Sequence, residues 1–324
     1  MLNTACNMKA TEDIFRAYDI RGVYGEELDA EIGERVGLAF GNFLRKQYNG
    51  GKISIGCDAR VSSPELQMAV SKGVSRAGFD VDIIGMVPIP VANYFTWKSN
   101  LNSEEYVAGV YITASHNPAE YNGIRFRHPD GTGFTEGNVE IKIIFFEEKL
   151  IEYDNGTISD LSSEEVLEDY MRFVSTKVGN LTGIKVALDP GNGVGCVVVD
   201  KIFERLGAET FSINNTPDGT FPNRPSESAP KNLGDLIEVM NNGKFDFAVA
   251  FDGDADRCVF IDEKSNPVWF DTATVIRGFR YGLQYFSPGN FVQRENGTID
   301  FNQFGRGLIS VSYTHLRAHE TSLH

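Results

Sequence analysis

Two short stretches of this chain hold residues that could do chemistry, and each follows an apolar run. Thr113-Ala114-Ser115-His116-Asn117-Pro118 closes the run AGVYIT. Small residues followed by a proline make a tight loop that can lift the Ser115 hydroxyl to a surface, where α/β proteins place reacting groups. A plain turn capped by Ser and Asn is the alternative for such a string taken alone. A serine hydrolase is poorly supported, because there is no G-x-S-x-G elbow and adjacent Ser and His rarely present their functional atoms to each other.

The second stretch, Asp252-Gly253-Asp254-Ala255-Asp256-Arg257, follows FAVAF. Three carboxylates at alternate positions, with a glycine to turn the backbone, can converge on one hard cation. Mg²⁺ takes oxygen ligands at about 2.0–2.1 Å, and a phosphate oxygen would complete such a site. A solvated acidic turn would leave three like charges crowded at a strand end, which is costly without a cation. A D-x-D phosphatase is the rival, but the Thr or Val usual four residues after its first Asp is replaced here by Asp256, followed by Arg257, which favours metal ligation over an aspartyl nucleophile. Two further stretches, Phe15-Arg16-Ala17-Tyr18-Asp19-Ile20-Arg21-Gly22 and Asp58-Ala59-Arg60-Val61-Ser62-Ser63, supply local positive charge.

That charge matters because the chain is otherwise acidic. Its 324 residues carry 30 Lys and Arg against 45 Asp and Glu, a net charge of −15, which disfavours nonspecific attraction to nucleic acid or to an anionic membrane. Four scattered cysteines, without C-x-x-C spacing, suggest neither zinc nor a disulfide framework and fit reduced thiols. No apolar run is long enough for a membrane span, and the polar start MLNTACNMKATED lacks a signal-peptide core, so a cytoplasmic protein is expected.

The elements that must position these loops alternate as in α/β domains. KISIGCDA, PELQMAVSKGVSRAG and VDIIG read as strand, helix, strand; a proline-broken VPIP, a short aromatic segment at 91–98 and the strand AGVYIT follow, and the chain returns through 123–126. After a polar stretch, apolar positions Val166, Leu167, Tyr170, Phe173 and Val174 recur at helical spacing. The alternation then repeats: strand IKVALD, the turn PGNGVG, a helix at 196–206, strand TFSIN, a helix at 233–240, then FDFAVAF and CVFID. The expected fold is α/β, in consecutive three-layer α/β/α domains with mixed, largely parallel sheets. Expected boundaries are an N-terminal extension at 1–11, domains at 12–155 and 156–264, and a partial start of a third domain at 265–310. Residues 311–321 read VSYTHLRAHET, like a translated sequencing adapter, so 311–324 and the histidines His315, His319 and His324 are set aside.

Taken together, AYDIRG, DARVSS, TASHNP and DGDADR, in this order along the chain, resemble the motifs of the α-D-phosphohexomutase family. The resemblance covers residues 12 to 262, two of the family's four domains. It implies that Ser115 carries a phosphoryl group, that one Mg²⁺ is held by Asp252, Asp254, Asp256 and the Ser115 phosphate, and that Arg21 and Arg257 add positive charge. Thr113, His116, Asn117 and Arg60 are implied to shape the loop or bind phosphate. Hexose 1-phosphate and 6-phosphate, with mannose or glucose favoured by the leading Thr113, would interconvert through a hexose 1,6-bisphosphate that also serves as activator. One departure is Arg125, where the family commonly has a lysine proposed as general acid and base; a guanidinium orients and neutralises more readily than it shuttles protons. The family's G-E-x-S-G-H sugar loop and distal phosphate loop do not occur in these residues. The natural reading frame is therefore expected to continue, and this stretch to accept a phosphoryl group without full turnover. A noncatalytic phosphosugar-binding remnant and a magnesium phosphatase are the alternatives.

Overall fold

A computed structural model describes residues 12–103, 105–134, 137–147 and 149–268. The expected extension at 1–11, nearly all of the expected third-domain start and the 311–324 stretch lie outside these described residues. The chain separates between Ser163 and Glu164 into two compact units.

In the first unit, β1 (Ile20–Val23) leads to α1 (Ala30–Leu44), β2 (Lys52–Cys57), α2 (Ser63–Arg76), β3 (Asp80–Met86), α3 (Ile89–Ser103), β4 (Tyr106–Ile112), β5 (Tyr121–Arg127), α4 (Asn138–Glu147) and β6 (Ile158–Asp160). The sheet order is β1-β5-β4-β2-β3-β6. β2, β3, β4 and β6 run parallel, whereas β5 is antiparallel to β4 and to β1. Strand alternation sends successive side chains to opposite faces. Ile53 and Ile55 thus enter the core beneath α1, while the Ser54 hydroxyl meets that of Thr96 on α3 at 2.7 Å. Phe40 of α1 stacks on Phe126 of β5, ring centroids 4.0 Å apart. The aromatic segment at 91–98 is thus the middle of a helix that covers one face of the sheet. Asp29 starts α1 by accepting from the Ile32 amide at 2.8 Å, filling one of the donors a helix start leaves open.

α1 and α2 cross at backbone contact. A Cβ on Gly73 would lie 1.9 Å from the Glu34 carbonyl oxygen, and one on Gly37 would lie 2.3 Å from that of Val70. Alanine is the better helix former by about 1 kcal/mol, but overpacking costs about 1–3 kcal/mol, more where the obstacle is backbone. Gly73→Ala is accordingly expected to lower stability by about 1–2 kcal/mol net, read as a lower urea midpoint; an unchanged midpoint would contradict this crossing.

The second unit holds α5 (Ser163–Ser175, its first residue closing the first unit), β7 (Lys185–Asp189), α6 (Val199–Arg205), β8 (Glu209–Ser212), α7 (Gly234–Asn242), β9 (Phe247–Phe251), β10 (Cys258–Ile261) and β11 (Pro267–Val268). Its sheet order is β11-β10-β9-β7-β8, with β7 parallel to β8 and β9 and the β9-β10-β11 side antiparallel. Leu233, Leu236 and Met240 at α7 pack on Ala187, Ala248 and Ala250 of the sheet. Both sheets are mixed and mostly parallel, as the alternation implied. Residues 158–160, expected in the second domain, instead pair with β3 in the first sheet. Three residues are too short for a strand signal in sequence. Among the described residues, no helix is long and apolar enough to cross a membrane.

Candidate functional site

The Ser115 loop leaves the carboxyl end of β4, next to Asp58 at the end of β2. Ser115 is 3% exposed and sits at φ +53°, the left-handed region that non-glycine residues rarely adopt and that gathers at functional sites. Three contacts hold this backbone. The Ser115 amide donates to the Thr113 hydroxyl at 2.7 Å, and that hydroxyl donates to Asp58 Oδ2 at 2.7 Å. The Asn117 amide closes the turn on the Ala114 carbonyl at 3.0 Å.

Arg60, expected at a phosphate, instead lies with its side chain wholly out of solvent. Its Nε donates to Asp58 Oδ2 at 3.1 Å, and its Nη atoms donate to the carbonyls of Ser115, Asn117, Pro118 and Tyr121 at 2.5–2.9 Å. The guanidinium therefore braces the loop from within. Thr113 is likewise committed inside the loop by its two hydrogen bonds. Asp58 also accepts from the Ser63 hydroxyl and the Arg60 amide. Burial pushes the Asp58 pKa up, while Arg60, Ser63 and Thr113 pull against it. Asp58, Ser63 and Asn122, whose side-chain amide donates to the Ser62 and Ser63 hydroxyls, were not among the expected site residues. The apolar strand ending in an acidic residue two before an arginine was the signal for Asp58.

Arg21 on β1 is 7% exposed, pairs with Asp19, and donates to Asn117 Oδ1 at 2.9 Å. The first unit thus brings Arg21, Asn117, Thr113, Arg60 and Ser115 onto one loop, with His116 half-buried between Ser115 and Asn117. Arg125 is 4% exposed on β5, opposite Tyr111 of β4 in register. Alternation puts it on the face away from the core residues Ile124 and Phe126.

The acidic loop joins β9 to β10 in the second unit. Ala255 turns it at φ +56°. One carboxylate oxygen each from Asp252, Asp254 and Asp256 lies within 4.8 Å of the others. Ligands on opposite sides of a Mg²⁺ ion stand about 4.2 Å apart at about 2.1 Å from the metal, so small side-chain adjustments bring this all-oxygen set to such an ion. Burial, then the charges of Asp254 and Asp256, raise the Asp252 pKa well above the usual carboxylate range, with Arg257 opposing. A cation among these oxygens relieves that repulsion. Burial works to lower the Arg257 pKa, but the charges of Asp252, Asp256 and Asp254 outweigh it and hold the guanidinium charged. Asp252 accepts from the Arg257 amide at 3.1 Å and from its Nε at 2.8 Å, on different oxygens. Hydrogen bonds on both oxygens weaken Asp252 as a nucleophile and count against an aspartyl phosphatase.

The serine loop of the first unit and the three-carboxylate loop of the second each leave the carboxyl end of a strand, the place where α/β proteins carry functional groups. Residues 12–151 match the family model for phosphoglucomutase/phosphomannomutase alpha/beta/alpha domain I, and residues 167–265 match domain II; the chain belongs to this phosphohexomutase family. It is similar to phosphoglucosamine mutase of Clostridium botulinum (strain Loch Maree / Type A3), 36% identical over 271 residues that cover 82% of this chain and 59% of that protein. Phosphoglucomutase/phosphomannomutase of Thermococcus kodakarensis is 34% identical over 257 residues, 77% of this chain and 55% of the relative. The chain thus spans little more than half the length of these curated relatives. A phosphoglucomutase/phosphomannomutase family protein from Burkholderia thailandensis shares the fold at a TM-score of 0.72 and 31% identity, over 80% of this chain and 57% of that one.

Proposed function

We propose that the protein is a cytoplasmic mutase of hexose phosphates, glucose or mannose, in which Ser115 carries the phosphoryl group between the 1- and 6-positions. The observation that carries this reading is the Ser115 backbone, held left-handed at φ +53° on a loop braced by Arg60. Strain of this kind costs about 1–3 kcal/mol and persists where the surroundings enforce it.

In the forward half, a hydroxyl of the hexose phosphate attacks the phosphorus of phosphoserine 115, the bond to Ser115 Oγ breaks, the hydroxyl's proton ends on Ser115 Oγ, and a hexose 1,6-bisphosphate forms. After the sugar turns round, Ser115 Oγ attacks the other phosphorus, the bond from that phosphorus to its sugar oxygen breaks, the sugar oxygen takes up the proton that the Ser115 hydroxyl gives up, and the isomeric hexose phosphate leaves. The same bisphosphate activates the unphosphorylated protein. The loose transition state of phosphoryl transfer asks mainly for positioning and for charge around the equatorial oxygens. Arg60 and Thr113 position the loop, Arg21 acts on it through Asn117, and Arg125, Arg257 and His116 supply charge or hydrogen bonds to the transferring group or the sugar. Asp252, Asp254 and Asp256 would hold Mg²⁺, which would supply positive charge for phosphoryl oxygens.

The test is intact mass after incubation with glucose 1,6-bisphosphate and Mg²⁺. A gain of one phosphoryl group, mapped to the peptide containing Ser115, is expected. No gain, or a gain on another peptide, would overturn the assignment.

A further inference from the structure

Arg224 lies in a loop without regular structure, far in sequence from the acidic loop, yet it is 7% exposed and all its donors are engaged. Its Nε donates to Asp189 Oδ2 at 2.7 Å, and Nη2 donates to the carbonyls of Asp189 at 3.0 Å and Phe251 at 2.7 Å. Nη1 donates to the carbonyls of Pro225 at 3.1 Å and Glu227 at 3.5 Å. Asp189 ends β7 and Phe251 ends β9, so one guanidinium clamps two neighbouring strand ends. The residue after Phe251 is Asp252. On the other side of Asp252, the Val194 amide donates to the Gly253 carbonyl at 3.0 Å, and a Cβ on Gly193 would meet that oxygen at 2.8 Å. The peptide unit before Asp252 and the one between Gly253 and Asp254 are thus both fixed from outside the acidic loop.

We propose that Arg224 and Gly193 are positioning residues for this loop, setting the backbone from which Asp252, Asp254 and Asp256 converge on a cation. The proposal rests on the reading of those carboxylates as the cation's ligands. Arg224 acts through main-chain oxygens, and its charge is taken up by Asp189. Lysine cannot reproduce this, since a single ammonium lacks the planar fork that reaches Asp189 and Phe251 together.

Mn²⁺ is the probe, its binding to the full chain followed by electron paramagnetic resonance of the free ion, with melting temperature measured beside it. Outer partners of metal ligands are worth about 10–100-fold in affinity. Arg224→Met and Arg224→Lys are each expected to weaken Mn²⁺ binding by about that factor. A lowered melting temperature with unchanged affinity would overturn the proposal, as would full affinity in Arg224→Lys, which would show that charge suffices. If Arg224→Met does not fold, Gly193→Ala decides: weakened binding supports the proposal and wild-type binding overturns it. Absence of Mn²⁺ binding in the wild type, or binding undiminished in Asp254→Asn, would instead strike the cation reading itself.

Discussion

Ser115→Ala is expected to take up no phosphoryl group from glucose 1,6-bisphosphate, while its melting temperature stays close to that of the wild type. Both halves follow from the loop. The hydroxyl is the only group lost. The contacts that enforce the backbone belong to the Ser115 amide and carbonyl, which donate to Thr113 and accept from Arg60, and alanine keeps both. A left-handed residue costs about 1–2 kcal/mol for serine and alanine alike, so the strain does not change. The loss in stability is then that of one hydroxyl, about 1 kcal/mol. Intact mass spectrometry and a thermal melt read the two halves separately. Phosphoryl uptake surviving in Ser115→Ala would place the acceptor elsewhere, and a large fall in melting temperature would mean that the hydroxyl supports the fold.

Asp58→Ala should show the opposite pattern. Asp58 and Arg60 form an ion pair whose side chains are both fully buried. Removing one partner of such a pair leaves an uncompensated charge and costs about 3–5 kcal/mol. Here the four carbonyls gathered by Arg60 soften that cost but do not replace a carboxylate. Urea unfolding followed by circular dichroism is expected to show a loss at the lower end of this range, and the Ser63 and Thr113 hydroxyls lose their acceptor as well. The double variant Asp58→Ala, Arg60→Met should recover part of the loss, because the stranded charge is gone. Wild-type stability in Asp58→Ala would mean that the pair contributes nothing to the fold.

Local pattern made the positions of the serine loop and the acidic loop legible. Ser115 and the three aspartates each stand in a short string after an apolar strand, and both strings sit at strand ends in the structure. Arg60 was legible as a residue and not as a role. A motif records that an arginine is required, but whether it faces a ligand or the loop's own carbonyls depends on partners 55 to 61 residues away. Arg224 left no local trace at all, being 35 residues from the aspartate it pairs with and in a stretch without period. The same limit applies to the sheet edges: β1 and β6 are four and three residues long, too short to show alternation, and their pairing is set by what lies beside them.

β1 also orders events in time. It leaves the ribosome well before its neighbour in the sheet, β5, whose last residue is Arg127. Chain closure over about a hundred residues must precede that pairing, and non-local pairings of this kind form late. The Arg21 side chain therefore meets Asn117 only once both strands flanking the serine loop have been made. A nascent chain stopped short of β5 has α1, β2, α2 and β3 available for packing but no seat for Arg21. The reactive loop should thus be among the last parts of the first unit to acquire protection from hydrogen exchange.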